Sequence, residues 1–469
     1  MFFCVYIDDA IYDLFIYDLR LDTIVNRAKL IGMKKIFIKV LLLAVIVAPQ
    51  LTVAQKVVID GEIRPRTEYQ DGFSTPILNA NDPGIFTSQR TRLGFNFTSG
   101  LLTTQVTLQD SRIFGSVANS ATTATSGLFE AWANMLLFPG GSLTVGRQAI
   151  KYDDNRLFSA SAWSNTGTTH DLMLFKYNIN DFQSHLGLGY NNNAENATEI
   201  YYNPTDKYRS LGYLWLSSPT YKSFTLTAIA VAEGLQDTVG LGGTVKYKKI
   251  KLSEAFTIGG NLKYENADFP VSGIATGYFQ TGKNEAGKTL SGKLLAAKIN
   301  YTPIKEITAT VGTDYLSGDN NGTTDGIQSN FKKLYGANHS FNGYMEYWKT
   351  SLSQGLLDYY GTVIGKVAKT LTLEGNYHVF NSEYAGKNST KVAFDKDLGS
   401  EFDFTVTYKL NSWSTVQGGY SRYFTTKNTL IAKNITTSTV PNPTVNSPQW
   451  AYVMFTIKPT FLNTASAGK

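Results

Sequence analysis

The sequence predicts an all-β protein: a transmembrane antiparallel β-barrel of about 18 strands, with short periplasmic turns and long extracellular loops. Three observations lead to this fold class. The composition favours strands, polar and apolar residues alternate over segments of membrane-crossing length, and short and long connections alternate along the chain. No segment after residue 54 has the roughly 18 consecutive apolar residues that a transmembrane helix needs.

Composition is the first of these observations. The chain has 469 residues, among them 28 Tyr, 27 Phe and 41 Gly. Tyr and Phe favour strands, and Gly allows tight turns and close approach of strands. Charged residues make up only 17%, which is low for a soluble protein. The net charge of +6 comes without a dense basic run, so we expect no nucleic-acid partner.

Alternation with a period of two is the second observation. In SEFDFTVTYKLN, Phe402, Phe404 and Tyr408 point to one side. Glu401 and Lys409 point to the other side, together with the polar residues between them. FTIGGNLKYE and TLTLEGNYHV alternate in the same way, and about ten residues is the length of a tilted strand that crosses a bilayer. A soluble β-sandwich also alternates, but its strands are usually shorter.

The connections are the third observation, because they fall into two classes that alternate. Outer-membrane barrels have short turns at one end and long loops at the other. Short turns are predicted at Pro139-Gly140-Gly141, Asn180-Asp181, Ser218-Pro219, Pro303-Ile304 and Asn411-Ser412. Long loops are predicted near 71–88, 113–127, 152–169, 191–207, 267–288, 317–340, 381–398 and 425–448. One strand start stays open, at Phe341 or at Leu356.

The N-terminal region predicts export. From Met33 the chain reads MKKIFIKVLLLAVIVAPQLTVAQ, a basic start, a short apolar core and small residues before a cleavage point. We interpret 33–54 as a signal peptide, and 1–32 as a misannotated start that is not structural. The mature chain then begins at Gln55 and lacks the only cysteine, Cys4. It therefore has no thiolate metal site, disulfide or cysteine nucleophile.

The mature chain reads as one domain. We expect the barrel to occupy 55–461, ending at the aromatic Phe461, with a C-terminal extension at 462–469. The expected location is the outer membrane of a Gram-negative cell. The expected partners are outer-membrane lipid and the barrel assembly machinery, and the expected state is a monomer.

Arginines suggest what the lumen carries. Those of the mature chain concentrate before residue 160, and Arg64 and Arg66 lie on the face opposite Ile63 and Tyr69. A guanidinium binds a carboxylate through two parallel hydrogen bonds and stays charged. The predicted partner is therefore an anionic oligosaccharide or a small anionic solute. The candidate lumen residues from this pattern are Arg64, Arg66, Arg90, Arg92 and Arg112.

Two alternatives stay open for these side chains. The arginines could instead brace the wall by pairing with Glu62, Glu68, Asp110, Asp153 and Asp154. Aromatic residues could stack on sugar rings, although they more often form girdles at the two membrane interfaces. The tryptophans expected in the girdles are Trp163, Trp215, Trp348, Trp413 and Trp450.

Catalytic and metal motifs do not stand out. The four histidines are scattered, with no HExxH, GxSxG or phosphate loop. The loop around Asp319 lacks the spacing of an EF-hand. The sequence thus predicts no enzyme, no metal and no cofactor. A lipase-like or hydrolase-like barrel and a plugged structural or adhesive barrel remain the alternatives.

The stretch GRQAIKYDDNRLFSASAWSNTGTTHDLMLFKY resembles the central signature of the alginate export family of outer-membrane porins. FKKLYGANHSFNGYMEYW and SEFDFTVTYKLNSWSTVQGGYSRYF are similar to further segments of that family. The resemblance implies an eighteen-stranded barrel whose electropositive lumen conducts a polyuronate such as alginate. By motif match it implies pore or loop roles for Arg147, Tyr152, Asp153 and Arg156. The expected function is an outer-membrane channel for anionic or sugar-like solutes.

Overall fold

The computed structural model describes residues 55–118, 126–192, 195, 202, 208–236, 252–320 and 326–464. The expected signal peptide at 33–54 and the segment 1–32 lie outside the described residues. So does the end of the C-terminal extension, 465–469.

Eighteen antiparallel strands, counted over the described residues, form one closed barrel. The first nine are β1 (Lys56–Asp71), β2 (Gly84–Ser99), β3 (Leu102–Ile113), β4 (Gly127–Phe138), β5 (Gly141–Gln148), β6 (His170–Ile179), β7 (Phe182–Tyr190), β8 (Ser210–Ser217) and β9 (Phe224–Gln236). The others are β10 (Leu252–Glu265), β11 (Val271–Gly282), β12 (Lys293–Ile304), β13 (Ile307–Leu316), β14 (Leu356–Ala368), β15 (Leu371–Asn381), β16 (Asp397–Lys409), β17 (Ser414–Phe424) and β18 (Gln449–Ile457), which continues as Thr460–Asn463.

Pairing between the first and last strands closes the barrel. Each strand pairs with its sequence neighbour, and β1 pairs with β2 on one side and with β18 on the other. Glu68 lies opposite Tyr452, and Ile59 lies opposite Leu462 in the continuation of the last strand. Closure leaves no free sheet edge, which is the condition for a β-structure to span lipid. The predicted fold class is confirmed.

The two classes of connection separate as predicted. Short connections lie at one end of the barrel, here called the turn end: 100–101, 139–140, 180–181, 218–223, 266–270, 305–306, 369–370 and 410–413. The long ones that the structure describes, in full or in part, lie at the other end, the loop end: 72–83, 114–126, 149–169, 191–209, 283–292, 317–355, 382–396 and 425–448.

Some predicted boundaries are wrong. The turn expected at Pro303–Ile304 lies at 305–306, because proline is tolerated near a strand end. The loop expected at 267–288 contains β11, whose glycines and threonines hide the apolar alternation. The strand with two possible starts begins at Leu356. The last strand continues past Phe461.

The outer face of the barrel is apolar. Side chains that point outward include Leu226, Val311 and Val363, which are 56%, 65% and 56% exposed. In β16, Phe402 and Phe404 point outward while Glu401 is buried inside, as the alternation predicts. This outer surface suits lipid contact, since a transmembrane barrel carries an apolar band outside and a polar interior.

The tryptophans depart from the predicted girdles. Trp215, Trp348 and Trp450 lie inside the barrel at 8%, 2% and 0% exposure, and Trp163 also lies inside against Trp450. Trp413, 51% exposed at the turn end, keeps a girdle position. The reason is that loops enter the lumen and bury these side chains. A prediction based on the strands alone does not include such an interior.

Small elements occur in the loop-end connections. The helix α1 (Lys427–Ala432) begins at Thr426, whose side chain accepts a hydrogen bond from the Thr429 amide. Within the described ranges, no helix is long and apolar enough to cross a membrane. The other small elements are a 3-10 turn at Asn338–Ser340 and two strand pairs, Thr289–Leu290 with Ile327–Gln328 and Gly386–Lys387 with Ala393–Phe394.

Candidate functional site

Positively and negatively charged side chains concentrate on different parts of the inner barrel wall. Arginines concentrate on β1 and β2, and carboxylates concentrate on the wall formed by β13 to β16. Each group is largely buried, and each contacts loop-end connections that fold into the lumen. The inward arginines are Arg64, Arg66, Arg90 and Arg92; the inward carboxylates of the other wall are Asp314, Asp358, Glu374, Glu401 and Asp403.

The connection 149–169 crosses the lumen. It contacts three separate parts of the wall: β8 through Asp153, β13 through Arg156, and β1 and β2 through 162–164. These strands are spread around the barrel, so the connection spans the interior and does not line one side only. Its path fixes the roles of the arginines.

Arg64 and Arg90 hold this connection by its carbonyl oxygens. Arg64 donates to Ala162 O at 2.5 Å, and Arg90 donates to Ser164 O at 2.7 Å. The Arg90 Nε also donates to Glu62 at 2.5 Å. The two arginines are only 4% and 3% exposed. Both guanidinium groups are therefore enclosed by the protein and anchor the loop, although the buried Arg64 Nε has no hydrogen-bond partner.

Arg66 holds the same connection through the ring of Trp163. Its guanidinium lies 4.2 Å from the centre of the Trp163 ring, in cation–π contact, and its Nε donates to Glu68 at 2.7 Å. Glu68 also accepts from the Trp450 indole at 3.0 Å. The bracing alternative raised by the sequence thus describes Arg66 and Arg90, which pair with Glu68 and Glu62.

Arg92 differs from its neighbours because it is half-buried. Its Nε donates to Gln109 at 2.8 Å, and its guanidinium lies 3.6 Å from the centre of the Phe129 ring. One terminal nitrogen, Nη2, has no hydrogen-bond partner. This nitrogen is itself buried, so it is not open to a solute in this conformation.

Tyr152 and Asp153 anchor the beginning of the connection. The Tyr152 hydroxyl lies 3.1 Å from His185 Nδ1, and its ring stacks on Trp215 at 4.8 Å. Asp153 accepts from the Trp215 indole at 3.1 Å. Burial raises the pKa of Tyr152 to about 12 and raises the pKa of Asp153. Both residues pack against the wall as loop anchors.

Arg156 makes the strongest ion pair of the connection. Its two terminal nitrogens each donate to Asp314 at 2.7 Å, and its Nε donates to Asp154 at 2.7 Å. Burial alone would lower the Arg156 pKa, but the charges of Asp314 and Asp154 raise it. The guanidinium also lies 4.1 Å from the centre of the Phe341 ring. Arg156 joins the connection to β13 and to a second loop.

The second connection that enters the lumen is 326–355. It is held by the carboxylates of the acidic wall: Asn342 donates to Asp358 at 3.2 Å, and the Met345 amide donates to Glu401 at 2.7 Å. Arginines therefore hold the first connection by its carbonyls, and carboxylates hold the second by its N–H groups.

The two connections also contact each other inside the lumen. The Tyr335 amide donates to Leu157 O at 2.8 Å, and the Ser159 amide donates to Tyr335 O at 3.0 Å. The Trp163 indole stacks on His339 with ring centres 4.1 Å apart. Together they occupy part of the lumen. We call them the two-loop constriction (149–169 and 326–355).

A charged cluster stabilises the second connection. Glu346 contacts His339 at 3.2 Å and Lys349 at 2.8 Å. Burial alone would raise the pKa of Glu346, but these two hydrogen bonds and the partners' charges lower it to about 2. Burial lowers the pKa of His339, and its hydrogen bond to Glu346 opposes that shift. Glu346 stays ionised and holds the loop together.

Two candidate arginines lie at the outside of the barrel. Arg112 shares the outward parity of Leu108 and pairs with Asp110 at 2.6 Å, so the expected lumen position of Arg112 is wrong. The sequence analysis counted Arg112 with the other arginines before residue 160 and did not use the alternation of its strand. Arg147 pairs with Asp171 at 2.9 Å at the loop-end rim.

Lysines near the turn end were missed by the sequence analysis. Four of them point into the lumen, and none forms an ion pair with a described residue. We call them the turn-end lysines: Lys176, Lys298, Lys366 and Lys409. Their alternation with outward apolar residues was a usable signal, and Lys409 already lay on the polar face of its segment. Two further lysines there are paired: Lys263 with Glu265 at 2.8 Å, and Lys458 with Glu62 at 3.2 Å.

A cavity lies beside the two-loop constriction at the loop end. Its volume is about 940 Å³. Tyr208 and Tyr335 contribute aromatic surface, and Lys332 and Lys349 contribute positive charge. Amide and hydroxyl side chains and the carboxylates Asp171, Glu233 and Glu285 line much of the remainder, so the cavity has a mixed aromatic and polar lining that suits a sugar ring.

Comparison with known families supports the resemblance seen in the sequence. The family model described as alginate export matches residues 56–188, from β1 into β7. This part of the chain is similar to the alginate export family. The alginate export match includes the first lumen connection and every arginine discussed above. No curated protein matches the chain significantly.

Solved structures with this barrel come from Pseudomonas aeruginosa. OccK3 (OpdO) is 9% identical with a TM-score of 0.57, covering 87% of this chain and 96% of its own. OpdL is 10% identical with a TM-score of 0.57, covering 87% and 99%. OpdK, solved with vanillate, is 12% identical with a TM-score of 0.53, covering 87% and 99%. At these identities the likeness concerns the fold, which is that of outer-membrane porins.

Proposed function

We propose that the protein is an outer-membrane channel for anionic or sugar-like solutes, with uronates and their oligomers as the solute class. The porin fold and the alginate export match support a channel. The observation that carries the anionic preference is the set of turn-end lysines. They place positive charge in the lumen, and none of them forms an ion pair with a described residue.

The proposed mechanism is electrostatic attraction followed by weak contact. A lysine ammonium is a compact point charge on a flexible stem, so it attracts an anion without holding it in a fixed geometry. Conduction needs binding that is favourable enough for entry and weak enough for release. The buried Arg64 and Arg90 are poorly suited to this step, because the constriction loop uses their donors.

Uncharged polar groups support a sugar-like solute. Inward hydroxyl and amide side chains lie between the lysines; Asn300, Thr310 and Gln417 are half-buried examples. They offer donors and acceptors to sugar hydroxyls. At the loop end, Tyr208 and Tyr335 in the 940 Å³ cavity offer aromatic surface for stacking. The family description points to the same solute class, a polyuronate.

A second candidate is a barrel closed by its own loops. The observation that favours it is the two-loop constriction, in which Phe158, Phe331 and Met345 are at most 1% exposed. A structural or adhesive barrel would conduct nothing. A barrel enzyme would instead show hydrolysis that is lost on replacing one Ser or His.

Solute uptake into proteoliposomes tests the proposal. Glucuronate and glucose share one ring and differ by a carboxylate, so their relative uptake isolates the effect of charge. We expect faster uptake of glucuronate at low salt, and a smaller advantage at high salt because salt screens the lysines. Equal uptake of the two solutes would contradict the anionic preference, and no uptake would favour the closed barrel.

A further inference from the structure

Both lumen connections build the cavity beside the two-loop constriction. The first connection contributes Ser161, Thr168 and Thr169, and the second contributes residues between 328 and 338 and the stretch 349–351. The volume of about 940 Å³ lies in the range of small-molecule sites and exceeds that of a single sugar ring. A molecule that fills the cavity therefore contacts both connections at once.

Four polar side chains of this lining have no partner within the described chain. All four are half-buried, and their side chains make no hydrogen bond or ion pair with a described residue: Thr169, Asn330, Lys332 and Asn338. Thr169 ends the first connection, and the other three belong to the second. Partly buried donors and acceptors that the protein leaves unused are the groups that orient a ligand in a site of this kind.

The carboxylates of the lining are engaged or exposed. Asp171 is paired with Arg147 at 2.9 Å. Glu233 is 3% exposed and accepts a tyrosine hydroxyl from the second connection. Glu285 is exposed, so water weakens its interaction with a charge inside the cavity. These carboxylates therefore leave room for a further anionic group beside Lys332.

Among the lysines of the lining, Lys332 has its ammonium group available. Lys333 donates to a side-chain oxygen and a backbone oxygen of its own connection, each at 2.7 Å. Lys349 pairs with Glu346 at 2.8 Å. Lys332 forms no ion pair with a described residue, so its charge can bind a carboxylate of a ligand.

We propose that this cavity binds a short uronate oligomer at the loop end of its path through the barrel. Lys332 pairs with one carboxylate, while Thr169, Asn330 and Asn338 bind ring hydroxyl groups. The tyrosines of the cavity supply aromatic surface for the sugar rings. The solute class rests on the proposed function, whereas the site is separate from the turn-end lysines.

An oligomer bound in this way joins the two parts of the constriction. Thr169 holds it from the first connection, and Asn330 and Asn338 hold it from the second. A ligand that binds one arrangement of the protein stabilises that arrangement. Saturating oligomer should therefore slow proteolytic cleavage within both 149–169 and 326–355, because cleavage requires local opening.

Isothermal titration calorimetry of the folded protein in detergent tests the site, with trigalacturonate as the probe. Maltotriose is the neutral probe of the same length. We expect saturable binding of one trigalacturonate per chain, and about fivefold weaker binding of maltotriose because it lacks carboxylates. Lys332→Gln should remove this difference, and Asn338→Ala should weaken the binding of both probes. The matched control is Lys387→Gln, which removes an exposed loop-end lysine outside the cavity and should bind as the wild type does.

Protection of the wild type from protease is the second measurement, in case a variant fails to fold. A wild type that neither binds trigalacturonate nor gains protection would overturn the site, as would unchanged affinity in both Lys332→Gln and Asn338→Ala. Binding that is lost in the fourfold glutamine variant of the turn-end lysines but kept in Lys332→Gln would place the site at the turn end and also overturn it. Glucuronate uptake into proteoliposomes reports the channel separately. Uptake without this binding contradicts the site alone, and the absence of both contradicts the channel as well.

Discussion

Replacing the four turn-end lysines together by glutamine should abolish the anion preference of the channel, and replacing them by glutamate should reverse it. A unit charge about 4 Å from a passing ion contributes about 1 kcal/mol in water, which is about a fivefold effect on partitioning. Several such charges acting on one lumen therefore dominate the selection between anions and cations. Reversal potentials in a salt gradient measure the result directly.

The matched control for this prediction is Lys263→Gln. Lys263 also lies near the turn end, but it is paired with Glu265 at 2.8 Å, so its charge is already offset. We expect its reversal potential to stay close to that of the wild type. An anion preference that survives in the fourfold glutamine variant would move the filter elsewhere, with the half-buried Arg92 as the next residue to test.

Arg156→Ala should open the two-loop constriction. The substitution leaves Asp314, which is 1% exposed, without its bidentate partner. Breaking a buried ion pair by removing one side typically costs about 3–5 kcal/mol. Because Arg156 also carries the contact with Phe341, both loops lose an anchor. The barrel itself should persist, since its ladders do not involve this side chain.

Single-channel conductance and limited proteolysis together report the opening. We expect higher conductance and new cleavage within 149–169 in Arg156→Ala. Arg112→Ala is the control, because Arg112 has a carboxylate partner at a similar distance but lies on the outer face. A variant with the conductance and protease resistance of the wild type would show that Arg156 does not hold the constriction.

The fold was predictable because every strand faces lipid on one side and the lumen on the other. Outward positions must be apolar and inward positions polar, so alternation such as that of Phe402 and Glu401 appears along the sequence. Connection length then separates the two ends. Errors arose where alternation is weak, as in the glycine-rich β11, or where a strand continues through a proline.

The candidate site was less predictable because its contacts join distant parts of the chain. Arg64 donates to carbonyl oxygens about a hundred residues away, and backbone carbonyls carry no sequence signal. The loops that enter the lumen also alter the pattern. Leu172 and Leu174 point inward and are 6% and 4% exposed, because the constriction packs against them. Apolar inward residues of this kind make an inward lysine such as Lys176 hard to recognise.

One signal in the loops was available. The segment FNGYMEYW carries aromatic residues at a density that a solvated loop does not need, and Tyr347 and Trp348 are both 2% exposed. Aromatic side chains in a long connection indicate burial, and in a barrel the available interior is the lumen. The acidic wall that receives this segment could not be deduced, since its members come from four strands.

Recording purified wild-type protein in planar bilayers tests the central claim most directly. The account predicts open channels whose reversal potential shows anion preference, which decreases as salt screens the lysines, and which uronate oligomers block. A silent bilayer would contradict the channel itself. Open channels that prefer cations would contradict the assignment of the turn-end lysines as the source of selectivity.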